Sequence, residues 1–117
     1  MNPRRSLERG DIVYMDFAPV VGKEMDYQRP AIVISPSTFN GKSDLIFVCP
    51  IISAICGSPW EVQLPSVMKT QGVVRIDHLK SVDKSRCEKF QHRVVIKEKA
   101  PSAVVEEILA KLETLVT

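Results

Sequence analysis

LIFVCPII, at residues 45–52, is an unbroken apolar run whose length suits a central β-strand. Pro50 within it marks a bulge or the strand's end, because proline cannot donate to a sheet ladder. Upstream, Arg29-Pro30 opens AIVIS at 31–35, a second continuous apolar run that should be buried on both faces, and Ser35-Pro36 then turns the chain. DIVYMDF at 11–17 is rich in β-formers with partial alternation and reads as the first strand. The loop APVVGKEMDYQ follows it at 18–28, and a polar turn with Asn40-Gly41 separates the second strand from the third. Downstream, WEVQL at 60–64 alternates, GVVRI follows at 72–76, and residues 90–96 hold a further β-rich piece. Short strands at such close spacing predict a small barrel.

Only the C-terminus reads as helix. Pro101 sits at a first helical position, and Val105, Ile108, Leu109, Leu112, Leu115 and Val116 recur at helical spacing, so their stripe must pack on the sheet. Glu106, Glu107, Lys111 and Glu113 fall on the opposite face, where Glu107 and Lys111 form a favourable four-residue charge pair. The fold class is therefore mainly β with a C-terminal helix, an α+β arrangement without repeats or linkers.

The 117 residues fit one domain spanning 1–117, with 1–8 as a flexible N-terminus. A composition of 44% hydrophobic and 26% charged residues is that of a globular rather than a disordered chain. No apolar stretch approaches the ~20 residues needed to cross a bilayer, and MNPRRSLERGD lacks a signal-peptide core, which places the chain in the cytoplasm without a membrane partner. Cys49, Cys56 and Cys87 are odd in number and show no Cys-x-x-Cys spacing, so they read as small packing residues rather than as a disulfide scaffold or a metal site. The net charge of +2 says little. Its distribution says more: Arg4, Arg5 and Arg9 lead the chain, and Lys80, Lys84, Arg86, Lys89, Arg93, Lys97 and Lys99 crowd a later stretch, as either a basic face or ordinary solvated charge.

Phosphate-loop, dinucleotide, His-Glu-x-x-His and nucleophile-elbow motifs are all missing from the sequence, and no metal or organic cofactor is expected. His78 and His92 are the only imidazoles and lie on separate predicted strands, which favours structural or surface roles over a histidine pair. Chemistry then falls to arginine, carboxylate and hydroxyl groups at strand ends: Glu24 and Arg29 around the first loop, Ser53 after the third strand, Arg75 and Asp77 at the end of another. Arg29 either pairs a carboxylate such as Glu24 or clamps a phosphate. Arg75 and Asp77, two apart, share a sheet face if the strand continues.

RGDIVYMDF at 9–17, GKEMDYQRPAIVISPSTFN at 22–40, VCPIIS at 48–53 and GVVRIDHLKSVD at 72–83 together resemble, in order, the motif series of the MazF/PemK (Kid-like) toxins, from about Arg9 through the C-terminal helix. The resemblance implies a twisted, SH3-like β-barrel that works as a homodimer. It also implies a metal-independent, sequence-selective endoribonuclease of type II toxin–antitoxin systems, acting on single-stranded RNA and restrained by a MazE-like antitoxin. In that family the ribose 2′-hydroxyl attacks the neighbouring phosphorus. Arg29 matches the catalytic loop arginine, Arg75 and Asp77 match the arginine and aspartate assigned as acid and base, and Glu24 and Ser53 fall in supporting positions.

Several positions depart from the pattern. Ile52 stands where threonine is usual and Ser53 carries the hydroxyl one residue later, facing the other way unless a bulge intervenes. Lys23 replaces a histidine of Kid-like members, Met25 and Tyr27 stand where glutamine and glycine are usual, and His78 follows Asp77 where glutamine is common. Lys23, Tyr27, Gln28, His78 and Lys80 are the candidate RNA contacts; Tyr27 either stacks on an unpaired base or folds onto its own strand. Two other readings remain. One is a gyrase poison resembling CcdB, whose Trp-Gly-Ile tail is replaced here by Glu113-Thr114-Leu115-Val116-Thr117; the other is a degenerate member that binds RNA or antitoxin without cutting.

Overall fold

The run at 45–52 becomes the central strand β3 (Leu45–Ile52) of a computed structural model that describes residues 7–15, 29–83 and 96–116. Before it come β1 (Asp11–Met15), β2 (Arg29–Val33) and a four-residue helix α1 (Ser37–Asn40); after it come β4 (Glu61–Gln63), β5 (Val73–Arg75), β6 (Lys80–Asp83), β7 (Ile96–Lys99) and the helix α2 (Ser102–Val116). The strands pair antiparallel in the order β4-β5-β3-β2-β1-β7, and β6 joins the other half of the β3 edge. This mostly β sheet curls into a half-barrel with the C-terminal helix packed against it.

Alternation along the strands sends side chains into two clusters. Ile12, Ile32, Cys49, Ile51, Val62, Val74 and Ile76 gather under α2, which contributes Val104 and Ile108. Val13, Met15, Ala31, Val33, Ile46, Val48 and Val82 form the second cluster on the opposite face with Leu7. β2 is thus buried on both faces, as its unbroken apolar run predicts. Leu7, assigned to the flexible N-terminus from sequence, is only 3% exposed, and its carbonyl accepts a hydrogen bond from buried Asn40 Nδ2 at 2.9 Å.

Pro50 marks neither a bulge nor an end. It pairs with Ala31 inside a regular ladder, and the carbonyl of Phe47, three residues earlier, accepts the Ile34 N–H on the β2 side. Backbone groups alternate sides along a strand, so the N–H that Pro50 lacks would face the opposite edge. There the partner changes: Val48 is the last residue paired with β6 and Ile51 the first paired with β5. Between those strands the chain makes a 3-10 turn, Ile76–His78, out of the ladder.

The helical stripe also needs correction. Val104 and Ile108 are the buried positions, Val105, Leu109 and Leu112 are partly buried against the same cluster, and Leu115 and Val116 are exposed. The Glu107–Lys111 ion pair forms at 3.4 Å, and Lys111 Nζ also donates to the carbonyl of Glu61 at 2.9 Å, tying the helix to β4. Cys56, read as a packing residue, is exposed, whereas Cys49 is buried; Cys87 and the β-rich piece at 90–95 lie outside the described residues. β6 escapes a hydrophobicity reading because KSVD buries only Val82.

The Arg-Gly-Asp opening is a fastening. Gly10 N–H donates to the Val33 carbonyl at 2.8 Å, Arg9 Nε to the Ile34 carbonyl at 2.6 Å, and the fully buried Asp11 carboxylate accepts the Glu8 N–H at 2.8 Å. Lys99 on β7 closes the ring with ion pairs to Glu8 at 2.8 Å and Asp11 at 3.4 Å.

Candidate active site

Strand register brings the two arginines together. Ala31 pairs with Pro50, so the same register carried two residues further sets Arg29, the first residue of β2, opposite Ile52. On the other edge of β3, Ile52 pairs with Val73, two residues before Arg75. Cross-strand partners share a face. Arg29, Ile52, Val73 and Arg75 therefore line one face, while Ile32, Ile51, Val74 and Ile76 turn into the helix-side cluster. The arginines start two strand spacings apart across the sheet and two residues apart along it, about 12 Å in all, a gap their long side chains can close above Ile52 and Pro50.

Asp77 reaches this face by a different route from strand continuation. The strand ends at Arg75 and the 3-10 turn lifts Asp77 back toward it: Arg75 Nε donates to Asp77 Oδ1 at 3.1 Å and Nη2 to Oδ2 at 2.9 Å. This two-pronged bond fixes the guanidinium plane. It also holds the Asp77 carboxyl below its ordinary range and raises Arg75 above its own. A carboxylate so stabilised is a weak base and a guanidinium so stabilised a weak acid, so the pair is built first for orientation. Below it, burial and then the Asp77 charge push the Cys49 thiol up to about 12, which leaves it protonated and inert.

Ser53 is the exposed bend residue just after β3, and Ile52 occupies the arginine face in its place. His78 and Lys80 are exposed on the 3-10 turn and β6, next to Asp77 in the chain. Lys23, Glu24, Tyr27, Gln28 and His92 lie outside the described residues. Among the described residues no three His, Cys, Asp or Glu side chains are grouped to hold a metal ion, and no helix is long and apolar enough to cross a membrane.

Residues 8–116 match the family of PemK-like, MazF-like toxins of type II toxin–antitoxin systems. This chain belongs to that family. It is similar to the endoribonuclease PemK of Escherichia coli, with 31% identity across 97% of this chain and 85% of that protein. The fold matches MazF of Deinococcus radiodurans at a TM-score of 0.79, with 36% identity over 96% of this chain and 97% of that one. MazF in the MazE–MazF complex of the same organism gives a TM-score of 0.83, again at 36% identity, over 96% of each chain.

Sequence reasoning missed one residue beside this candidate site. Glu61, 8% exposed, pairs with Arg75 across β4 and β5, and its carboxylate accepts the backbone N–H groups of Cys56 at 3.0 Å and Gly57 at 3.1 Å. The loop after Ser53 is thereby closed onto the strand beside Arg75. Alternation gave no signal for it: with Trp60, Val62 and Leu64 turned into the helix-side cluster, Glu61 falls on the face where a solvated carboxylate is the ordinary reading.

Proposed function

We propose that this toxin is a sequence-selective endoribonuclease that cuts single-stranded RNA without a metal. The observation that carries the reading is the shared face of Arg29 and Arg75, with Asp77 gripping the second guanidinium. Two guanidinium groups over one phosphodiester suit charge building on the non-bridging oxygens as a five-coordinate phosphorus forms. In that reaction the 2′-oxygen attacks phosphorus, its proton leaves to a base, and the bond to the 5′-oxygen breaks as that oxygen gains a proton. The products are a cyclic phosphate and a 5′-hydroxyl. Because the nucleophile is the substrate's own hydroxyl, no metal-bound water is needed. Arg29 and Arg75 stabilise the phosphorane, Asp77 orients Arg75, and Glu24 and Ser53 support them. Lys23, Tyr27, Gln28, His78 and Lys80 hold the flanking nucleotides.

In the cell we place the toxin in the cytoplasm, bound to a MazE-like antitoxin whose acidic segment competes with RNA for the arginine face. We further read it as a homodimer. Leu45, Phe47, Phe39 and Leu79 are exposed apolar side chains, and a groove of about 380 Å³ runs among Ile34, Pro36, Phe39, Phe47 and Leu79. Leu79 directly follows the Asp77–His78 turn, so a second copy seated there would lengthen the RNA path beyond one chain. Sedimentation at micromolar concentration should give twice the 13.1 kDa chain mass; a single species at chain mass would remove the dimer.

One observation favours a second reading, binding without cleavage: Ile52 rather than a hydroxyl side chain lies between Arg29 and Val73. Primer extension on a long RNA incubated with the toxin in EDTA separates the two. Discrete stops at a recurring short motif are the expected result, and intact RNA with salt-dependent binding would replace the nuclease by the binder.

A further inference from the structure

We infer that Glu61 is a positioning residue for base selection: it holds the loop at 53–60 beside Arg75 so that Ile55 forms an apolar wall for the nucleobase next to the cleaved phosphate. This inference rests on the endoribonuclease reading. Three observations place the loop there. Glu61 is the cross-strand partner of Arg75, so its buried carboxylate and the guanidinium leave the sheet on the same face. That carboxylate takes both the Cys56 and Gly57 N–H groups, which closes the loop over the strand; Gly57 adopts a φ of 78°, the left-handed geometry the closure requires. The foot of the loop is fixed as well, because the Trp60 carbonyl accepts the Ile76 N–H at 2.8 Å, one residue before Asp77. Consistent with this closeness, Glu61 and Cys56 add to the rise in the Arg75 pKa after the dominant bond to Asp77.

Ile55 is 61% exposed on a loop pinned at these points. An isolated apolar side chain needs no explanation, but one carried on a loop clamped beside Arg75 is set to meet the part of a nucleotide that lies next to a phosphate, the flat apolar face of the base. Arginines select phosphate without regard to sequence; the wall adds a contact whose strength depends on which base is present. Lys111, which donates to the Glu61 carbonyl, ties the same residue to α2 and keeps the wall rigid.

Glu61→Gln tests the role. The amide retains one acceptor and turns an N–H donor toward a backbone N–H, so one of the two loop bonds is lost while the strand stays paired. Ile55→Ala removes the wall from an exposed position and leaves folding unaffected, as its thermal midpoint will show. Wild-type cleavage is measured first; its absence overturns the nuclease reading and this inference together. With cleavage present, both variants should narrow the ratio of kcat/KM between the preferred site and the next-best site roughly tenfold. An unchanged ratio in both folded variants, or an equal loss at every site, overturns the positioning role and leaves the nuclease reading standing.

Discussion

Arg75 and Asp77 show how a spacing in sequence can be right for a reason the sequence does not display. Two residues apart in a strand they would share a face by alternation, but the strand stops and a 3-10 turn re-aims Asp77 into a two-pronged bond. Ser53 shows the converse. Its identity suggests a hydroxyl at the site, whereas the pairing of Ile52 with Val73 gives the arginine face to an aliphatic side chain. The sequence nominates candidate residues and their order; their facing depends on register, which is a property of two strands at once. At this scale thiol chemistry offers a check. Cys49 is buried with its pKa pushed up to about 12, and Cys56 is exposed on the loop that Glu61 clamps. Brief alkylation of the native toxin followed by peptide mapping should label Cys56 and spare Cys49; labelling of Cys49 at a similar rate would mean that the sheet opens readily at its centre.

Among the elements, β3 and the turns that serve it set the site. Gly72 precedes β5 with φ 126°, and a Cβ there would run into the Ile52 carbonyl oxygen. Gly72→Ala should therefore cost roughly 1–3 kcal/mol from backbone conformation alone, with more from the clash. It should also displace β5 and with it Arg75. A drop in thermal midpoint together with loss of RNA cleavage is the expected pair of results, and an unchanged midpoint would contradict the close approach. A second element-scale prediction concerns acid. Burial works against the Glu98 charge, yet the Lys69 and Thr70 N–H groups hold its pKa below the ordinary range while fastening β7 to the loop before β5. Asp77 is lowered as well, chiefly by its bond to Arg75. Both groups add stability that is present above the unfolded carboxylate range, near about 4, and is lost as pH falls through their lower folded values. The thermal midpoint should hold between about pH 5 and 8 and decline below about 4; Glu98→Gln should flatten that decline. The apolar runs disclosed β2 and β3, but β6 stayed hidden because its polar residues pair along an edge that β3 supplies. α1 was hidden too, since four residues carry no helical periodicity and its cap makes no side-chain hydrogen bond.

Across the whole molecule, a sheet with a different cluster on each face divides the labour. Helix α2 and its cluster stabilise one side, and the opposite side near the ends of β2, β3 and β5 is left to the arginines. Segments far apart in the chain meet there because β3 pairs with β2 on one edge and with β5 on the other. That long-range pairing is beyond any local pattern in the sequence, although the order of its motifs pointed to the same family. The central claim, that Arg29 and Arg75 work on one phosphodiester, is tested most directly by a double-mutant cycle of RNA cleavage in EDTA. Wild type, Arg29→Ala, Arg75→Ala and the double variant would be compared, each first shown to be folded. Two groups serving one transition state should give single variants that each lose at least about a hundredfold and a double variant that loses far less than the product of those factors. Wild-type cleavage by Arg29→Ala, or losses that multiply in full, would contradict it.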